Sequence, residues 1–229
     1  MNVHTLNKPT DTVIGSPCLG NLSLTDFWRW AFSDLCDDDI KGIFAEWLVH
    51  RLLGVRSSRR ISWANSDVIT SGVRIEVKAT SYWQSWKVLD ETGQPYSKSL
   101  YDVPTNDSAI RFGGLAARDA LRVADQSKAR ELKSQIYVFA FQHEKDISRW
   151  NAMDLSQWEF YVIRAEELAN IAGRNVALKK LRPRYGPLTA DEFAQRANAL
   201  IEEFAAETSS RINSRVFPRA SSKDAIGDE

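Results

Sequence analysis

Glu76 and Lys78 stand two residues apart in the run Gly72-Val-Arg-Ile-Glu-Val-Lys-Ala-Thr-Ser-Tyr-Trp-Gln-Ser-Trp86, which is otherwise largely apolar. Side chains alternate along a strand, so Arg74, Glu76, Lys78 and Thr80 share a polar face while Val73, Ile75, Val77 and Ala79 share a core face. A carboxylate offers hard oxygen ligands to a divalent cation, and an ammonium two residues on adds a compact positive charge on the same face. The plain alternative is an ordinary ion pair on a solvated strand.

Two further acids belong beside this pair. The segments Ile61 to Thr70 and Val73 to Trp83 are rich in β-branched and aromatic residues and meet at Ser71-Gly72, which predicts a hairpin. With a two-residue loop Asp67 falls opposite Glu76; a three-residue loop would break that register. Opposed carboxylates destabilise a sheet unless something positive lies between them. The third acid is on a helix. From Asp39 the apolar residues Ile40, Ile43, Phe44, Trp47 and Leu48 recur at helical spacing, with Asp37 to Asp39 as caps and Gly54 as the stop. Glu46 lies on this helix among Gly42, Val49 and Leu53, where an unpaired carboxylate is costly, so it needs a partner. His50, one turn on, has no second histidine nearby and reads as a hydrogen-bonded or surface residue.

Glu46 on a helix, then Ser66-Asp67, then Glu76-Val77-Lys78 and Gln84, together resemble the metal-dependent nuclease core called PD-(D/E)XK, shared by restriction endonucleases and many repair nucleases. The resemblance is densest from Gly42 to Trp86 and extends loosely through Tyr137-Val-Phe and Phe160-Tyr-Val; Ser66 stands where the motif has proline. It implies an α/β fold with a restriction endonuclease-like mixed β-sheet flanked by helices. It also implies a magnesium ion, with manganese as a substitute, held by Asp67, Glu76 and the Val77 carbonyl. Lys78 would assist the attacking water and Glu46 would complete the catalytic set. Gln84, Arg74 and Lys87 would contact nucleic acid, with Trp83 or Trp86 available to stack on a base. The implied activity is phosphodiester hydrolysis by a DNA endonuclease. The alternatives are an inactive nuclease-fold module that binds or scaffolds nucleic acid, and a hydrolase of another phosphodiester.

These residues must be carried by a chain of 229 residues, 43% hydrophobic and 26% charged, the composition of a soluble globular protein. Thirty basic residues balance thirty acidic ones, so overall charge does not argue for nucleic acid. The distribution is uneven: acids dominate from Leu24 to Glu46, and Arg51, Arg56, Arg59, Arg60, Arg74, Lys78 and Lys87 outnumber Asp67 and Glu76 thereafter. Two cysteines without CxxC spacing argue against a disulfide framework and against a thiolate zinc site. No apolar stretch is long enough to span a membrane and no signal-like start is present, so the expectation is a cytoplasmic protein that binds nucleic acid, DNA first, and no membrane. A homodimer is allowed for.

Residues 1–21 read as an N-terminal arm, 22–216 as one nuclease domain and 217–229 as a disordered tail. Residues 87–112 read as irregular and Leu115 to Lys133 as a charged helix. Gln135 to Phe141 reads as a central strand covered on both faces, with Glu159 to Ile163 as its neighbour. A helix follows over Glu166 to Ile171, then a short basic loop over Lys179 to Arg184, then a helix over Asp191 to Glu207. Recognition would have to come from loops such as 87–112 and 179–184, since no helix-turn-helix or zinc-finger spacing is visible.

Overall fold

The computed structural model describes residues 7–15, 18, 20–57, 59–61, 64–84, 107–115 and 132–216. Among these, helices α1 (Leu24–Phe32) and α2 (Asp38–Leu52) come first, then strands β1 (Val68–Thr70), β2 (Val73–Ser81), β3 (Arg111–Phe112) and β4 (Ile136–Gln142). A single 3₁₀ turn leads into β5 (Trp158–Arg164), followed by α3 (Ala165–Ile171), β6 (Val176–Ala177), α4 (Leu178–Tyr185) and α5 (Ala190–Val216).

Four strands form a mixed sheet in the order β1-β2-β4-β5, with β2 and β4 parallel and the other pairs antiparallel. The strand Ile136-Tyr-Val-Phe-Ala-Phe-Gln142 is buried along its whole length. An uninterrupted apolar run can be accommodated only where both faces are covered, which puts β4 in the interior of the sheet. One face, from Val73, Ile75, Val77, Ile136, Val138, Ala140, Phe160 and Val162, packs on Ala45, Leu48 and Val49 of α2 and on Phe193, Ala197, Leu200 and Ile201 of α5. The other face, through Tyr137, Phe139, Phe141, Tyr161 and Ile163, packs on Phe112 of β3, Leu168 of α3, Val176 of β6 and Leu178 and Leu181 of α4. Each large apolar side chain buried there contributes about 1.5–3 kcal/mol, offset by chain entropy.

The helices begin where the sequence caps them. Asp37 accepts from the N–H groups of Asp39 at 3.0 Å and Ile40 at 3.2 Å, opening α2. At the head of α5 the Thr189 hydroxyl accepts the Glu192 N–H and the Glu192 carboxylate accepts the Thr189 N–H, a reciprocal capping box. The turn Ser71-Gly72 has positive φ at both residues, 49° and 75°, the conformation that matches the twist of a two-residue hairpin.

Some expectations change. The first helix is α1, ahead of Asp39, opened by a capping box between Ser23 and Asp26 and carrying no buried residue. The N-terminal arm folds back on it through Val13 N–H to the Leu22 carbonyl and Leu24 N–H to the Asp11 carbonyl. The segment Lys179 to Arg184 is not a loop: it lies within α4, which runs through Pro183. Leu178 and Leu181, three residues apart and both buried, anchor that helix on the sheet, and packing outweighs the local preference of proline. The strand expected from Ile61 shortens to Val68–Thr70. Most of the irregular segment, most of the charged helix from Leu115 and the tail lie outside the described residues. Among the described residues no helix is long and apolar enough to cross a membrane.

Candidate functional site

The hairpin register is Val68 with Ile75, Ile69 with Arg74 and Thr70 with Val73, as a two-residue loop requires. At Asp67 the ladder stops. Its N–H donates to the Ile75 carbonyl at 3.1 Å, and its Oδ2 accepts the main-chain N–H of Val77 at 2.7 Å. Asp67 therefore does not face Glu76 as a regular cross-strand partner; its carboxylate takes over the edge of β2 where β1 ends. A residue's N–H and C=O point to the same side of a strand, so the Val77 carbonyl lies on the edge that Asp67 occupies.

Glu76 and Lys78 leave β2 on the opposite face from the α2 core, beside Tyr137 and Phe139 of β4. Lys78 Nζ donates to Glu76 Oε1 at 2.6 Å, and both side chains are largely shielded from solvent. Gly114, at φ 65°, passes so close that a Cβ there would lie 3.9 Å from Lys78 Nζ. The Tyr137 hydroxyl donates to the Leu115 carbonyl at 3.3 Å, fixing that loop to the sheet.

Helix α2 supplies the third acid. Glu46 is held by both arms of Arg60, from Nε at 2.5 Å and Nη2 at 2.8 Å. The partner that Glu46 demanded is thus an arginine from the chain between α2 and β1. One turn on, His50 Nε2 lies 3.0 Å from the Asp67 carbonyl oxygen. The histidine is a main-chain tie that seats Asp67 against the helix, and it supplies no metal pair.

Electrostatics single out Asp67. Its carboxyl is pushed up to about 6, first by burial, then by the charge of Glu76 and, less, of Glu46, against the opposing pull of the Val77 N–H and Lys78. Negative charge on hard oxygen atoms is under-compensated there, which is the condition a divalent cation relieves. Asp67, Glu76 and the Val77 carbonyl fit as donors in kind. Glu46 does not join them in this arrangement, being held by Arg60, and among the described residues no group of three His, Cys, Asp or Glu side chains is placed to hold a metal ion.

The proposed nucleic-acid contacts fall in different places. Arg74 is exposed at the start of β2, on the face of Glu76 and Lys78. Gln84 is buried, and its Oε1 accepts from Lys41 Nζ at 2.7 Å, so this amide does not open onto the polar face. Lys41 is itself buried to 1% exposure and also donates to Asp38 Oδ1 at 2.9 Å and the Trp83 carbonyl at 3.3 Å. That three-way contact locks the start of α2 to the end of β2. Trp83 spends its indole N–H on the Lys145 carbonyl at 3.2 Å. Lys87 and Trp86 lie outside the described residues. Arg182, in the segment expected to recognise a ligand, is engaged by Asp107 and Glu159, each at 2.8 Å.

Arg60, Lys41 and Gly114 were not singled out by the residue pattern. Arg60 carried one signal, its place in a basic block close after a helix acid that needed a partner. Lys41 carried none, since a lysine in the first turn of a helix is ordinarily exposed. No family model, curated protein or solved structure matches the chain.

Proposed function

We propose that this protein is a divalent-cation-dependent nuclease that hydrolyses phosphodiester bonds of DNA at the site formed by Asp67, Glu76, Lys78 and the Val77 main chain. The observation that carries this reading is the seat of Asp67: a shielded carboxylate fixed on the Val77 N–H, with Glu76 close enough to raise its pKa. Burial and the charge of Glu76 both disfavour the ionised Asp67 carboxylate, so its placement there costs stability in the absence of a cation.

A bound magnesium ion would supply Lewis acidity and a water acidified toward neutral pH. The chain does the rest. Asp67 and the Val77 carbonyl present oxygen donors from one rigid strand edge, and Glu76 presents another from the adjoining face. Lys78, kept in place by Glu76, offers a compact positive charge to the oxygen that becomes more negative as the bond breaks. The open turn at Gly114 leaves space over Lys78 that a side chain would fill.

A second reading has its own support. Glu76 and Glu46 are each already paired with a cation of the chain, as expected of a nuclease-like module that binds nucleic acid without cutting it. Incubation with plasmid, linear, single-stranded and branched DNA, with magnesium, manganese or chelator, separates the two. Cation-dependent cleavage that disappears in Asp67→Asn supports the enzyme. Cation-independent retention without cleavage supports the binding module.

A further inference from the structure

The Arg60–Glu46 pair joins a well-shielded acid to a half-exposed arginine: Glu46 is 15% exposed and Arg60 44%. Arg60 lies between α2 and β1, where the described residues from Val55 to Ile61 form no helix or strand. Glu46 stands one helical turn before His50, whose Nε2 lies 3.0 Å from the Asp67 carbonyl, so the half-exposed guanidinium on Glu46 sits on the solvent side of the Asp67 seat. Arg56 and Arg59, on the same segment, are exposed.

A nucleic-acid phosphate reaching this site must approach from solvent toward three acids, and the repulsion has to be met at the rim. The planar fork of a guanidinium fits a carboxylate and a phosphate equally well, each through two parallel hydrogen bonds. Glu46 and a phosphate therefore compete for the same two donor groups. The competition turns on the local charge: added positive charge among the carboxylates weakens the hold of Glu46 on Arg60.

We propose that Arg60 is a transferable phosphate-binding residue, held by Glu46 in the free protein and released to a DNA backbone phosphate in the cation-loaded protein. This rests on the nuclease reading above and adds to it a switch between two partners. It makes the affinity for DNA conditional on the cation without any rearrangement of the sheet, because only one side chain on an irregular segment has to move.

Binding of a short fluorescent DNA duplex, measured with calcium and with chelator, tests it on the wild type, Arg60→Gln and Arg60→Lys. With calcium, Arg60→Gln is expected to bind on the order of tenfold more weakly than wild type, and Arg60→Lys to recover only part of the loss. With chelator the three are expected to bind alike, because Glu46 already occupies the guanidinium. An equal loss in both conditions makes Arg60 an ordinary surface contact and overturns the transfer. No loss in either condition makes it a structural counterion only and overturns it too. The lysine variant, which keeps the charge on Glu46, guards against misreading an unfolded glutamine variant. A wild type whose DNA binding ignores calcium overturns the nuclease reading itself, a result distinct from a wild type that responds to calcium and an Arg60→Gln protein that responds equally.

Discussion

The Asp67 carboxylate accepts the main-chain N–H of Val77 at 2.7 Å, across the point where β1 stops pairing with β2. A side chain thus replaces a strand as the hydrogen-bond partner of the sheet edge, and a charged group is held where an amide would otherwise be unpaired. Asp67→Asn keeps an acceptor for Val77 and removes the charge. It is expected to fold, to melt at a higher temperature than wild type without metal, and to lose magnesium affinity, all read by thermal unfolding and titration calorimetry. Asp67→Ala leaves the N–H without its partner and should be the less stable of the two by about 1–2 kcal/mol. Unchanged magnesium affinity in both removes Asp67 from the ligand set.

The same carboxyl makes stability depend on pH. Its folded pKa, about 6, lies above the ordinary value of 3.8, so the folded state binds the proton more tightly than the unfolded state. Its contribution is full below the unfolded value and is lost as pH rises through the folded one, a fall on the order of 3 kcal/mol between about pH 4 and pH 6. Metal-free wild type should lose this increment in denaturant titrations across that window, and Asp67→Asn should not. Magnesium should bind more weakly below pH 6 than above it, since protons compete for the same oxygen atoms.

Lys78 distinguishes an enzyme from an acidic cluster that stores a cation. Lys78→Ala is expected to retain magnesium and DNA binding and to cleave at least about a hundredfold more slowly, on the order of 3 kcal/mol in the barrier. Lys78→Arg should recover only part of the rate, because a planar guanidinium spreads its charge and does not replace a compact ammonium beside a small water. A wild-type cleavage rate in Lys78→Ala would sink the mechanism.

Lys41 makes its prediction through stability. Its ammonium satisfies the Gln84 amide, the Trp83 carbonyl and Asp38 from a buried position. Lys41→Ala leaves buried neutral acceptors unpaired and a gap in the packing while Asp38 stays solvated, and should destabilise the fold by about 2–4 kcal/mol in denaturant unfolding. Gln84→Ala removes only one partner and should cost less, on the order of 1–2 kcal/mol. A Gln84→Ala protein of full stability but impaired DNA binding would return Gln84 to the ligand contacts.

The two cysteines should differ in reactivity. Cys18 is exposed, whereas Cys36 is buried and its thiol is pushed up to about 11, chiefly by desolvation. At neutral pH an alkylating reagent is expected to modify Cys18 in the native protein and Cys36 only after unfolding, as mass spectrometry of Cys18→Ser and Cys36→Ser variants would record.

By itself the sequence determined what local pattern can encode. The helix carrying Glu46, the two-residue turn at Ser71-Gly72, the register of β1 on β2 and the doubly covered strand from Ile136 all follow from periodicities of 3.6 and 2 and from turn chemistry. Those same patterns placed Asp67, Glu76 and Lys78 within reach of one another. The tertiary structure decided which groups are satisfied and by whom. That Gln84 turns inward to a buried Lys41 and that Glu46 takes Arg60 depends on where α2 lies, and Asp67 reaches past Glu76 to the Val77 N–H because β1 stops pairing at Val68. Likewise, α4 runs through Pro183 because Leu178 and Leu181 find the face of the sheet that local propensity knows nothing of. Periodicity constrains neighbours along the chain; hydrogen bonds between residues far apart in sequence are fixed only once the helices and sheet have packed.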